Sequence, residues 1–194
     1  MDHAAIFDRI YRENLWGEGS GTGSSADVTR SYREFLHNFL RSNGVRSVVD
    51  LGCGDWRFSQ LVDWSGIDYL GLDVSKVVLE TARRYERPGV RFRALDAVAE
   101  PLPPADLLVA KDVLQHWSNA DILALLPKLA GFGHALITNG FLPQDAARTN
   151  EDIRAGMDYR PVDLRRPPFR LPGAYVAWFM MDEPKYCFLW TRPG

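Results

Sequence analysis

Cysteine is scarce in this chain, with two among 194 residues, Cys53 and Cys187. So few thiols support neither a disulfide framework nor a zinc site. An excess of one charge is also missing: 23 Lys and Arg against 25 Asp and Glu give a net charge of −2, and no basic run breaks the pattern. That balance argues against nucleic acid as the main partner. No apolar stretch is long enough to span a bilayer, and the start, Met1-Asp2-His3-Ala4-Ala5, lacks the basic and apolar regions of a signal peptide. The cytoplasm is the default expectation. There is no internal repeat and no segment long enough for a second domain, so residues 1–194 are expected to form one domain. With 46% apolar and 25% charged residues, the chain has ordinary globular usage and enough length to bury a core.

The strongest positive signal is Val48-Val49-Asp50-Leu51-Gly52-Cys53-Gly54-Asp55, an apolar strand running into a glycine turn flanked by carboxylates. Glycine at 52 and 54 lets the backbone turn sharply and approach a ligand that a Cβ would obstruct. Asp50 closes the strand and Asp55 is expected to open a helix. The acidic flank suits a cationic ligand better than a pyrophosphate. A dinucleotide fingerprint, G-x-G-x-x-G, needs glycine where Arg57 stands. The plainer reading is a strand-to-helix turn of some α/β protein.

Two further acids follow at strand ends. Tyr69-Leu70-Gly71-Leu72-Asp73 ends in a carboxylate about twenty residues beyond the glycines, where a ribose diol would lie. Val90 to Leu95 leads to Asp96, placed to accept from an adenine amine. Each acid alone is an ordinary strand-end or N-cap residue. Three at the ends of successive strands are what a ligand crevice in a βαβαβ sheet requires.

Apolar runs at 46–51, 67–73, 90–95, 105–110 and 133–139 predict strands, separated by helical stretches of which 74–85 and 119–130 are clearest. This alternation predicts an α/β, doubly wound, mainly parallel sheet. Helical patterns at 3–14 and 27–41 precede it as an N-terminal helical cap, with residues 1–44 forming cap and glycine-rich loop and 45–194 the core. Ala174 to Met181 and Tyr186 to Arg192, joined by a turn at Asp182-Glu183-Pro184-Lys185, predict a C-terminal antiparallel hairpin and bring the sheet to seven strands.

Taken with Ala110-Lys111-Asp112-Val113-Leu114-Gln115-His116-Trp117 after the fourth strand, the glycine turn and the acids Asp73 and Asp96 make residues 46–140 resemble the class I, Rossmann-like S-adenosylmethionine-dependent methyltransferases. The resemblance implies that Asp50, Gly52, Cys53 and Gly54 lie against the methionine part of S-adenosylmethionine. It further implies that Asp73, followed by Val74, binds ribose and that Asp96, followed by Ala97, contacts adenine. Lys111 joins the cofactor set, more as an ion-pair partner than as a nucleophile. Asn14-Leu15-Trp16-Gly17 and the stretch from Asn150 to Leu164 resemble a bacterial subgroup whose substrate is unsettled.

Two segments fall outside the sheet pattern. Trp16 to Ser25 holds four glycines and is read either as a flexible linker or as a lid over the cofactor, with Tyr11 and Trp16 supplying aromatic surface near the sulfonium. Residues 140–172 follow the fifth strand and are expected to face the substrate; their arginines are mostly solvated or paired with nearby acids, with Arg160 excepted as a substrate contact. Asn139 and Trp117 complete the substrate set.

Methyl transfer is an in-line displacement in which a hydroxyl acceptor must lose a proton. His116 is the candidate base, with Asp112 to orient it or to bind substrate; a packing role for His116 stays open beside it. Asp112, Gln115 and His116 only partly imitate a metal-binding acid-x-x-acid-His pattern, because glutamine replaces the second acid, so no metal is expected. The Asp/Asn-Pro-Pro-aromatic run of amino-methylating nucleic-acid enzymes is missing. His3, His37 and His134 lack spaced partners and are read as structural or surface residues. The expectation is O-methylation of a small molecule, with a non-catalytic S-adenosylmethionine-binding protein and a nicotinamide-dependent oxidoreductase as rivals.

Overall fold

The computed structural model describes residues 2–194; Met1 lies outside the described residues. Helix α1, His3–Arg12, starts where the Asp2 side chain accepts the Ala5 N–H, and it buries His3, Phe7 and Ile10 along one face. Helix α2, Arg30–Ser42, buries Tyr32, Leu36 and Leu40 at the same kind of spacing. Both are shorter than their sequence patterns. Asn14, Gly17, Gly19 and Gly21 take positive φ between them, which ends the first helix and turns the chain repeatedly.

Strands β1 (Ser47–Leu51), β2 (Asp68–Asp73), β3 (Val90–Ala94), β4 (Ala105–Lys111) and β5 (Phe132–Gly140) pair in parallel. β7 (Pro184–Thr191) runs antiparallel to β5, and β6 (Ala174–Met180) antiparallel to β7. The order β3-β2-β1-β4-β5-β7-β6 is the expected seven-stranded, doubly wound sheet with its terminal hairpin. The winding reverses between β1 and β4, so the ligand crevice of such a sheet lies at their carboxyl ends.

Strand alternation divides the core. Val49, Leu51, Leu108 and Ala110 pack with α1 and with α4 (Asn119–Leu125), while Val48, Leu107 and Val109 pack with α2 and α3 (Lys76–Ala82). Ser118 and Asp121 form a reciprocal cap at the start of α4.

Three expectations need correction. Asp55 opens no α-helix: the connection from β1 to β2 contains only a 3-10 turn at Ser59–Leu61. Trp56 explains this, because it has φ +62° and is fully buried against Tyr69, Tyr85 and Phe92, so aromatic packing holds the backbone out of the helical region. Between β3 and β4 there is no helix either, since Pro101, Pro103 and Pro104 occupy that span. The hairpin turn is confined to residues 181–183, and Pro184 is the first residue of β7.

Candidate active site

Two cavities open at the switch point and share Tyr11, Trp16, Gly52, Asp112 and His116. The first encloses about 590 Å³ including its mouth. Its lining includes His3 and Phe7 of α1, Asp73 at the end of β2, and Leu95, Asp96 and Val98 after β3. The second, about 810 Å³ with its mouth, is bounded by the glycine-rich loop, the turn Cys53-Gly54-Asp55, and the cations Lys111 and Lys185.

The glycine turn is built for close approach. A Cβ on Gly52 would lie 2.5 Å from the Val113 side chain and one on Gly54 2.3 Å from Ser20 Oγ, and both residues have positive φ. Asp73 fixes the turn: Oδ2 accepts the Gly54 N–H at 3.1 Å and Oδ1 the Ser75 N–H at 2.9 Å. Each oxygen keeps a second lone pair for a ligand. Burial pushes the Asp73 carboxyl up to about 6, against the lowering effect of those backbone donors.

Asp96 also lines the first cavity. Its Oδ1 accepts the Val98 N–H at 2.9 Å and its Oδ2 faces His3 Nδ1 at 3.0 Å. His3 Nε2 lies 3.4 Å from Asp121, so this histidine bridges α1 to two acids and lines the cavity. His3 has no partner at local spacing, as expected; its partners come from 93 and more positions away, and it is a buried residue that also lines the cavity. His37 and His134 also fit the structural or surface reading, held by Arg41 and Thr191.

His116 joins the two cavities. Its Nδ1 is 3.0 Å from the Asp158 carbonyl, which can only accept, so Nδ1 carries the proton. Gln115 Oε1 accepts the Gly140 N–H at 2.7 Å, which turns the Gln115 amide nitrogen toward His116 Nε2 at 3.3 Å. The ring is thus oriented by Gln115 and Asp158, and the Trp16 ring lies 5.1 Å away. Burial lowers its affinity for a proton, so the imidazole is neutral with its lone pair on Nε2.

Asp112 does not orient His116. Its backbone has φ +58°, and its carboxylate lies between Lys111, its hydrogen-bond donor, and Lys185 Nζ at 2.9 Å. Burial would raise the carboxyl, but the two ammonium groups outweigh it and hold it at about 2. Lys111 is the ion-pair partner expected, and it also donates to Gly23 O at 3.0 Å. Lys185, buried in β7 and bonded to Glu183 at 2.7 Å, is a site residue that local sequence reading misses, because only the antiparallel hairpin brings it beside Asp112.

A scan against family models matches residues 5–152 to the O-methyltransferase domain. The chain belongs to the O-methyltransferase domain family. Among curated proteins it is 43% identical over 86 residues to a trans-aconitate 2-methyltransferase of Methylobacterium nodulans, covering 43% of this chain and 32% of that protein. A trans-aconitate 2-methyltransferase of Rhizobium leguminosarum bv. trifolii is 34% identical over 103 residues, covering 52% and 40%. The chain therefore spans less than half the length of these relatives. In structure it resembles the magnesium protoporphyrin IX methyltransferase of Synechocystis PCC 6803 solved with bound SAH, with TM-score 0.68, 14% identity and 98% of both chains covered. Human N-acetylserotonin methyltransferase in complex with SAM gives TM-score 0.60 at 17% identity over 97% of this chain and 59% of that one. These two likenesses establish the fold.

Within this O-methyltransferase-family chain, Val74, Ala97 and Trp117 line the first cavity and Cys53 and Lys111 the second. Trp117, expected in the substrate set, lines the same cavity as Asp73 and Asp96. Asp50 borders neither cavity: strand alternation turns it away from Leu51, which lines the first cavity, and toward Tyr69 and Ser59, which donate to its Oδ2.

Arg160 is fully buried and borders no described cavity. Its Nη1 donates to Leu114 O at 2.6 Å, Nη2 to Asn119 Oδ1 at 3.1 Å and Nε to Glu151 O at 3.1 Å. All three nitrogens are occupied, so it ties the 140–172 segment to the start of α4 and is not a substrate contact. Asn139 accepts the Gln115 N–H at 3.2 Å and faces a third cavity. The other arginines behave as expected, with Arg148 on Glu151 and Arg165 and Arg166 on Asp163.

The glycine-rich loop lies against the turn Cys53-Gly54-Asp55. Asp55 N–H donates to Ser20 Oγ at 3.1 Å, Ser20 N–H to Asp55 Oδ2 at 3.2 Å, and Thr22–Ser24 form a 3-10 turn. Glycine content did not leave it without anchors; the reciprocal Ser20–Asp55 bonds supply them. No helix of the described residues is long and apolar enough to cross a membrane, and no cluster of metal-binding side chains occurs among them.

Proposed function

We propose that this chain is an S-adenosylmethionine-dependent methyltransferase that O-methylates a small-molecule acceptor. The observation that carries the reading is the first cavity, where Asp73 and Asp96 stand at successive strand ends beside a glycine turn that tolerates no Cβ. The residues fit the cofactor by their chemistry. Asp73 has lone pairs for a ribose diol, Asp96 and its apolar neighbours suit an adenine, and Tyr11 and Trp16 offer aromatic surface to a sulfonium where the cavities meet. The trans-aconitate methyltransferases and the SAH- and SAM-bound neighbours point the same way.

Bound there, S-adenosylmethionine supplies an electrophilic methyl group. The protein's work is then to align an acceptor oxygen, exclude water and manage a proton. Tyr11, Trp16 and the Ser20–Ser24 loop cover the junction from solvent. His116 Nε2 is the lone pair at that junction; a hydroxyl acceptor that takes the place of the Gln115 amide would hand its proton there. A carboxylate acceptor needs no base, and the names of the curated relatives favour that class.

Calorimetric titration with S-adenosylhomocysteine, repeated on Asp73→Asn, tests the reading. Micromolar binding that weakens by roughly tenfold or more in the variant, with its melting temperature retained, supports it. Failure of the wild-type protein to bind would refute it, and quenching of reduced nicotinamide fluorescence would then favour an oxidoreductase.

A further inference from the structure

We infer that a third cavity, sharing no lining residue with the other two, binds a planar aromatic carboxylate. It lies past the end of β5, beneath the 141–172 segment, and encloses about 800 Å³ with its mouth. Three aromatic rings shape it. Tyr186 meets Phe141 edge-on at 5.5 Å and Tyr175 at 5.8 Å, so the cavity has an aromatic wall against which a planar guest can pack.

The rim supplies the charge. Asp163 takes Arg165 Nε and Nη2 at 3.0 Å each and Arg166 Nε at 3.2 Å. One carboxylate between two guanidinium groups leaves a net positive charge, and the lining holds no other charged side chain. Arg165 Nη1 and both Nη atoms of Arg166 make no hydrogen bond among the described residues. Those donors are suited to a carboxylate, and Arg165 is already fixed 4.5 Å over the Tyr175 ring, so little side-chain freedom is lost on binding. At the inner end, Asn139 uses Oδ1 for the Gln115 N–H, which leaves its Nδ2 for a polar substituent on the guest.

The test titrates 2-naphthoate and its neutral isostere 2-naphthamide into the full chain, with and without S-adenosylhomocysteine. Saturable one-to-one binding of the carboxylate is expected, roughly tenfold tighter than the amide, and weakened roughly tenfold by Arg165→Gln with Arg166→Gln. Ala146→Trp, a substitution at an exposed lining position, fills the cavity without touching the ion pairs and is expected to abolish binding. Absence of saturation below about 5 mM, equal affinity for the amide, or full affinity in the Ala146→Trp protein would overturn the proposal. Should the double variant not fold, the Ala146→Trp protein decides alone. None of these outcomes depends on methyl transfer, and S-adenosylhomocysteine affinity is expected to be unchanged throughout.

Discussion

Replacing Arg160 with methionine separates a structural arginine from a substrate-binding one. The substitution keeps most of the buried stem and removes three charge-assisted donors, at 2.6, 3.1 and 3.1 Å, from Leu114 O, Asn119 Oδ1 and Glu151 O. A hydrogen bond to a charged group contributes about 1.5–3 kcal/mol, giving about 4–9 kcal/mol gross. Two effects reduce that. Leu114 O retains the Trp117 N–H at 3.1 Å, and methionine removes the cost of burying a guanidinium whose affinity for its proton burial has already lowered to about 10. A net loss of about 4 kcal/mol remains, which lowers the melting temperature of a chain this size by roughly 8–16 °C. Differential scanning fluorimetry measures it directly. Below the lowered midpoint, affinity for S-adenosylhomocysteine is expected to stay within about threefold of wild type, since Arg160 borders neither cavity of the candidate active site. An unshifted melting temperature with lost turnover would refute the reasoning and return Arg160 to the substrate.

Asp50→Asn is expected to stabilise the protein at pH 7.5 by about 3 kcal/mol, because burial raises this carboxyl from 3.8 to about 6. The native state then binds more protons than the unfolded state between those values, so wild-type stability falls as pH rises through that window; the variant's advantage should shrink toward pH 4, as thermal melts across pH will show. The same variant should bind S-adenosylhomocysteine as wild type does, and a large loss would put Asp50 back at the cofactor. Acting through Asp112, whose carboxyl is held at about 2, acid has the opposite sign: that contribution is complete above 3.8 and is lost only as pH falls toward 2. Lys185→Met removes the ammonium that Asp112, Asp182 and Glu183 share and is expected to cost about 3–5 kcal/mol, read from denaturant midpoints. For a hydroxyl acceptor, His116→Ala should lower kcat with cofactor affinity unchanged and remove the acidic limb from the pH–rate profile, where protonation of the imidazole shuts off the base; equal activity would exclude His116 as the base.

What the chain reveals by itself is whatever depends on local order and spacing. Alternating apolar runs set the strands, Gly52 and Gly54 mark the turn, and Asp73 and Asp96 fall at strand ends because parallel βα units repeat at regular intervals. Where aromatic packing or proline overrode periodicity, at Trp56 and between β3 and β4, the expected helices are missing. Side-chain direction was less legible. Asp50 is the immediate neighbour of Leu51, which lines the first cavity, yet alternation along β1 turns it to the opposite face, toward Tyr69. Arg160 lies in a motif that looks substrate-facing, but its role depends on acceptors from residues 114, 119 and 151 that meet it only in the folded chain. His3 finds Asp96 across 93 residues, and Lys185 finds Asp112 because β7 inserts antiparallel beside β5. Linear sequence determines which backbone elements form and what cofactor chemistry they frame, because those depend on neighbours a few residues apart. Which charged groups are paired, which are left for a ligand, and where the third cavity opens are decided by contacts between distant segments, and these exist only once the sheet has closed.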